Sequence, residues 1–221
     1  MQIVDCQQNS PEWYAARAGL PTASQFKVIL ANGRGGGESK TRKSYLHRLA
    51  AEILTGKPLE SYANQAMQRG HEMEPEARNF YSFLRDVEPQ QVGFIRNDVA
   101  GCSPDSLIGD SGVLEIKTQR GDLLIETLMK DRFPPEHKSQ VQGQLWITQR
   151  EWCDLVVYWP GLPTFITREF RDEKYISDLA AAVDQFNAEL AEIVERICAY
   201  GGLSVPETES KPPNLVAAAN A

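Results

Sequence analysis

Apolar residues recur along this chain at two spacings, three to four residues and two residues, and the change from one to the other separates helices from strands. Leu46, Leu49, Ala50 and Ile53 follow the helical spacing until Gly56 and Pro58 stop it. A longer helix, roughly Ala63 to Leu84, carries Met67, Gly70, Glu74, Ala77 and Tyr81 on one side, so Glu74 falls on an otherwise apolar stripe. A half-buried carboxylate is costly there unless a cation or a metal ion faces it. Val92 to Arg96, Val113 to Thr118, Asp154 to Trp159 and Thr164 to Phe170 read as strands, the last two joined by the turn Pro160-Gly161-Leu162-Pro163. Helices are expected from about Asp122 to Met129, Glu136 to Thr148 and Glu173 to Tyr200. The last repeats Ile176, Leu179, Val183, Phe186, Leu190, Ile193 and Ile197 at heptad-like spacing, which calls for packing on the core or on another chain. Ser10-Pro11-Glu12-Trp13 marks a helix start, and Thr22-Ala23-Ser24-Gln25 matches a capping box. Strands mixed with helices predict an α/β (α+β) domain with a central mixed β-sheet flanked by helices, spanning 1–210 as one unit, with a flexible tail at 211–221.

Composition narrows the class. A chain of 221 residues, 42% apolar and 24% charged, suits a single core. No apolar run approaches the length of a bilayer crossing, and the start Met1-Gln2-Ile3-Val4-Asp5 lacks the basic and apolar pattern of an export signal, so a cytoplasmic location without a membrane partner is expected. Cys6, Cys102, Cys153 and Cys198 lie far apart with no Cys-x-x-Cys pair, which argues against a zinc or iron–sulfur site and favours reduced thiols. The net charge of −7 argues against a protein that passively coats DNA. It does not exclude an enzyme whose acidic residues form the outer surface and a metal site while basic ones line a groove. The segment Asn-Gly-Arg-Gly-Gly-Gly-Glu at 32–38 lacks the Gly-Lys-Ser/Thr ending of a phosphate-cradling loop. Arg34, Lys40, Arg42 and Lys43 make the most basic stretch, a solvated face or a contact to a DNA backbone.

The pattern with chemical content is Ser103-Pro104-Asp105 followed by Glu115-Ile116-Lys117. Side chains alternate along a strand, so Glu115 and Lys117 share one side while Leu114 and Ile116 turn into the core. A bend around Gly109-Asp110-Ser111-Gly112 would return Asp105 to Glu115. Two carboxylates so close repel unless a divalent cation lies between them, and hard oxygen ligands suit Mg²⁺. Lys117 would then orient or deprotonate a water, or offset negative charge in the transition state. A strand-borne Glu-x-Lys is also a common exposed ion pair, and Pro-Asp a common turn opener.

The same residues resemble the metal-dependent nuclease superfamily named for its Pro-Asp…Asp/Glu-x-Lys signature, PD-(D/E)xK. The residues around them resemble its lambda-type phage exonuclease branch, the viral recombinase nucleases. Four blocks carry the likeness in the family's order: Trp13-x-x-x-Arg17-x-Gly19-x-x-Thr22-Ala23-Ser24; Gly70-His71-Glu72-Met73-Glu74-Pro75-Glu76-Ala77-Arg78; Cys102 to Lys117; and Gln140-Val141-Gln142-Gly143-Gln144-Leu145-Trp146. The resemblance implies a restriction-endonuclease-like core and catalytic roles for Asp105, Glu115, Lys117, Glu74 and Gln140. Asp105, Glu115 and the main-chain carbonyl of Ile116 would hold Mg²⁺, two ions in relatives, with Mn²⁺ as a substitute. Arg17, Ser24 and Ser103 would receive a 5′-phosphate, and Arg34 and Gln142 are candidate DNA contacts. Two positions depart from the pattern: His137 stands where the family has an aromatic residue, and Asp98 matches an upstream acidic residue only across a small gap.

The activity so implied is 5′-to-3′ exonuclease action on one strand of linear double-stranded DNA, leaving 3′ single-stranded overhangs for recombination in a bacterial or phage-infected cell. A homotrimeric ring and a single-strand annealing protein as partner are implied with it. The rivals are an endonuclease or helicase-associated nuclease on the same scaffold, and a non-catalytic DNA-binding module in which Asp105, Glu115 and Lys117 are an ion-pair network. Covalently closed DNA separates the first rival, and Mg²⁺-dependent nucleotide release the second.

Overall fold

The computed structural model describes residues 1–33, 39–59, 65–202 and 204, without the side chains of 65–67. Arg34, the side chain of Met67, Ala63 and the tail at 211–221 therefore lie outside the described residues. Strand β1 (Gln2–Val4) leads into α1 (Pro11–Arg17), which begins as its sequence requires: Ser10 Oγ accepts the Trp13 N–H at 3.2 Å and Pro11 sits in the first turn. The start expected at Thr22 is different. Ala23–Gln25 forms a 3-10 turn and α2 (Phe26–Ile29) a single α turn, and the Thr22 hydroxyl caps neither. That hydroxyl meets Ser24 Oγ at 3.4 Å, while the Thr22 N–H, which a capping box would give to the Gln25 side chain, donates to Tyr45 Oη at 3.1 Å.

Two long helices follow, α3 (Lys40–Thr55), closed by Gly56 at φ +64°, and α4 (Gln65–Arg85). Then come β2 (Phe94–Arg96), β3 (Gly101–Cys102), β4 (Ser106–Ile108), β5 (Gly112–Thr118), α5 (Gly121–Lys130), α6 (Lys138–Thr148), β6 (Trp152–Tyr158), β7 (Phe165–Phe170) and α7 (Glu173–Gly201). Three antiparallel strands order as β1-β2-β3, and a mixed four-stranded sheet orders as β4-β5-β6-β7. In the mixed sheet β5 and β6 run parallel, so the chain must cross over between them, and it does so through α5 and α6. The mixed sheet and flanking helices agree with the expected fold class. Strands β1, β3 and β4 have three residues or fewer, too short to display an alternation.

Opposite faces of β5 do different work. Leu114 and Ile116 pack with Ala77 and Tyr81 of α4, Val156 and Tyr158. Val113 faces the other way, into the main core with Val141 and Leu145 of α6 and the buried stripe of α7. That stripe consists of Ile176, Leu179, Val183, Phe186, Leu190, Val194 and Cys198. The expected continuation through Ile193 and Ile197 fails, since Ile193 is half-buried and Ile197 is 45% exposed. A strict seven-residue repeat drifts around a straight α-helix, and steps of four after Leu190 keep the stripe on the core.

Gln142 requires a correction. It is fully buried, its Nε2 donates to the Phe170 carbonyl at 2.8 Å, and its Oε1 accepts the Asp172 N–H at 2.9 Å. It ties α6 to the start of α7 and is not available to DNA. All four cysteines are free thiols. Among the described residues no helix is long and apolar enough to cross a membrane.

Candidate active site

Asp105 is brought into place by a hairpin. β4 pairs antiparallel with β5, Ser106 opposite Leu114, around a turn with Gly109 at φ +49°. Arg150 braces that turn by donating from Nη1 to the carbonyls of Ile108 at 3.2 Å, Gly109 at 2.7 Å and Gly112 at 2.7 Å. Asp105 lies one residue beyond the pairing, and its Oδ2 accepts the Ile116 N–H at 2.5 Å. The N–H and C=O of a strand residue face the same edge, so the Ile116 carbonyl opens to the edge that Asp105 occupies.

Glu115 is 3% exposed and held by three donors. Its Oε1 accepts from Lys117 Nζ at 2.6 Å and from Gln140 Nε2 at 2.6 Å, and its Oε2 accepts from Gln144 Nε2 at 2.5 Å. Lys117 Nζ also donates to Gln140 Oε1 at 3.0 Å. Gln140 and Gln144 are one helical turn apart, which places both amides over the same strand. Burial, followed by repulsion from Glu115 and Glu74, holds the Asp105 carboxyl well above the usual carboxylate range; Lys117 and the Ile116 N–H offset only part of this. For Lys117 burial acts downward, but the adjacent Glu115 and Asp105 carboxylates outweigh it and its pKa is raised, so the ammonium keeps its charge.

A divalent cation fits this donor set, because the burial and carboxylate repulsion that raise the proton affinity of Asp105 are relieved by a hard positive ion. The oxygens available are those of Asp105, Glu115 and the Ile116 carbonyl. Among the described residues no three His, Cys, Asp or Glu side chains form a metal-holding group. Glu74 is drawn aside, its Oε1 in a close ion pair with Arg78 Nη2, with His71 Nδ1 3.9 Å from its Oε2.

A second group of side chains shares the cleft. Trp13 Nε1 donates to Ser103 Oγ at 2.8 Å, and the Arg17 guanidinium stacks over the Trp13 ring at 3.9 Å. Gln8 fixes the loop carrying Ser103 by donating to the carbonyls of Val92 at 2.9 Å and Pro104 at 3.0 Å. One cleft of about 280 Å³ is lined by Trp13, Arg17, Ser24 and Ser103 together with Asp105, Glu115, Lys117, Gln140 and Gln144.

Of the residues expected to act, Asp105, Glu115, Lys117, Gln140, Arg17, Ser24 and Ser103 thus share one cleft. Glu74, on α4, is not among the residues that line it, and Asp98 is exposed in the turn between β2 and β3. Arg42, from the basic stretch, is turned to Glu189 of α7, with hydrogen bonds of 2.6 and 3.0 Å. Sequence reasoning missed two roles. Gln144 clamps Glu115, and its helical spacing from Gln140 was the available signal. Trp13 joins Arg17 to Ser103, which only the approach of α1 to the β3–β4 loop reveals. His137 has a buried Nε2 with no hydrogen-bond partner, and burial, then the Lys117 charge, hold its pKa below the ordinary value.

Residues 12–151 match the family model of the YqaJ-like viral recombinase domain. Among solved structures the chain is similar to LHK-Exo, an alkaline exonuclease from Laribacter hongkongensis, at 35% identity over 87% of this chain and 98% of that one. The TM-score is 0.80 for its complex with dAMP and 0.79 for the second structure. A phage-related exonuclease from Haemophilus somnus shares the fold, with a TM-score of 0.63 at 15% identity, over 80% of this chain and 96% of that one. Comparison with curated proteins gives no match. With the family match extending over more than half of its length, this chain belongs to the YqaJ-like viral recombinase family.

Proposed function

We propose that this protein is a metal-dependent DNA exonuclease that works from 5′ ends of linear duplex DNA and leaves 3′ single-stranded overhangs for recombination. The observation that carries this reading is the convergence of Asp105, Glu115 and Lys117 in the cleft that also contains Arg17, Ser24 and Ser103. The likeness to an alkaline exonuclease, one structure of which contains dAMP, supports a nucleotide-bearing substrate.

Asp105, Glu115 and the Ile116 carbonyl would hold Mg²⁺, as one ion or a pair and with Mn²⁺ able to substitute, and bound metal supplies polarisation of a phosphate oxygen and a more acidic water. The remaining work falls to the chain itself. Lys117, kept cationic by its two carboxylate neighbours, orients the attacking water and offsets charge that grows on the phosphate. Gln140 holds both Glu115 and Lys117, which fixes the Lys117 ammonium relative to the carboxylate. Arg17 offers a fork of donors to a terminal phosphate, and the Ser24 and Ser103 hydroxyls add directed bonds. A terminal phosphate seated there sets which phosphodiester reaches Asp105 and Glu115, and so makes an end a requirement. A homotrimeric ring around DNA, a single-strand annealing partner and action in the cytoplasm complete the proposal by resemblance to the family.

The test is digestion of end-labelled linear duplex bearing 5′-phosphate or 5′-hydroxyl, with and without Mg²⁺, beside covalently closed circles. Mononucleotides released from phosphorylated 5′ ends only with Mg²⁺, and intact circles, are expected. Cutting of closed circles would replace the reading by an endonuclease.

A further inference from the structure

Arg78 of α4 is 8% exposed and is not among the residues that line the cleft, yet its guanidinium reaches both Glu74 and the main chain of Asp105. Its Nε donates to Ser106 Oγ at 3.1 Å, and its Nη2 forms the close ion pair with Glu74 and reaches the Asp105 carbonyl at 3.4 Å. The Gln91 amide, with its oxygen turned inward, accepts from Nη1 and Nη2 at 3.1 and 3.2 Å. One guanidinium thus joins a carboxylate on the helix to the main chain of the hairpin residue that carries the other carboxylate. Its planar fork can do this and a lysine point charge cannot.

We propose that Arg78 is a positioning residue that sets the separation of Glu74 from Asp105 and thereby tunes divalent-cation affinity. The proposal rests on the metal-dependent reading above. It is tested on the full chain without DNA, counting free Mn²⁺ by electron paramagnetic resonance, with thermal unfolding recorded for each variant. Arg78→Met is expected to weaken Mn²⁺ binding about tenfold, in the range that partners of metal ligands typically contribute. Arg78→Lys should recover part of the loss. Ser106→Ala, which removes one arm of the fork, should cost a smaller factor and supplies the test if Arg78→Met does not fold. Because Arg78 acts through Glu74, adding Arg78→Met to Glu74→Gln should weaken binding no further than Glu74→Gln alone.

Wild-type affinity in folded Arg78→Met, Arg78→Lys and Ser106→Ala, or fully additive losses in the double variant, would overturn the proposal while leaving the nuclease reading intact. A wild-type protein that neither binds Mn²⁺ nor digests DNA would remove the nuclease reading itself.

Discussion

At the scale of single residues, the site is a set of charges held by short bonds in a half-enclosed cleft. Glu115 takes three donors, Lys117 two acceptors, and Asp105 a main-chain N–H. Replacing Lys117 by Ala removes the one side-chain cation in contact with Glu115 among the described residues, yet leaves that carboxylate bonded to Gln140 and Gln144 and the strand pairing intact. Lys117→Ala and Asp105→Ala are therefore expected to fold and to lose Mg²⁺-dependent nucleotide release by about 10²–10⁴-fold. Full activity in either would refute the assignment, and a single-turnover assay on labelled duplex decides it. In the proposed function Arg17 serves the phosphate rather than the metal. Arg17→Ala should lower the ratio of 5′-phosphate to 5′-hydroxyl digestion about tenfold or more, the scale of one charge-assisted bond, while digestion of hydroxyl ends changes little. An unchanged ratio would remove the pocket. Much of this was legible beforehand, because two-residue alternation alone puts Glu115 and Lys117 on one side. Trp13 was not, since its partner Ser103 is 90 positions away.

At the scale of elements, packing overrules local preference in two testable places. Gly143 lies in α6, where alanine is ordinarily better by about 0.5–1 kcal/mol. Here an added Cβ would sit 2.4 Å from Phe26 Cδ2 and 2.5 Å from Cε2. Phe26 is fully buried and has no room to retreat, so Gly143→Ala should destabilise by about 1–3 kcal/mol, seen as a fall in Tm of several degrees. A rise in Tm would show that α6 can shift. The second place is the clamp between α3 and α7. Hydrogen bonding to Arg42 lowers the Glu189 pKa below the ordinary value, so the folded state holds the charged form more tightly than the unfolded one. That contribution is complete above about pH 4.5, the ordinary value, and is lost as pH falls through the lower folded value. Glu189→Gln should accordingly unfold at lower temperature than wild type at pH 7, with the difference vanishing as both are acidified through the lowered Glu189 value. A difference that persisted at low pH would assign the effect to packing. The sequence also predicted the long helices closely, since each offers many turns of periodicity. It missed β1, β3 and β4 because two or three residues have no period to read; β2, equally short, was found only within the longer apolar run Val92 to Arg96.

At the scale of the whole molecule, a chain with a net charge of −7 is asked to act on a polyanion. A ring of three copies would resolve that conflict by gathering Arg17 and its neighbours around the DNA and turning acidic surface outward. The expected result is a mass of three chains by light scattering at the concentrations used for digestion; a monomer that still digested processively would argue against the ring. What the sequence by itself determined is what depends on neighbours a few positions apart: helix and strand periods, the shared face of Glu115 and Lys117, the Ser10 start of α1, and the motif order that identified the family. Only the tertiary structure decided which faces meet. It buried Gln142 against β7 and α7, set Gln144 on Glu115, and turned Arg42 to Glu189. The physical reason is that these bonds join elements far apart in sequence, so their partners are selected by how whole helices dock on the sheet.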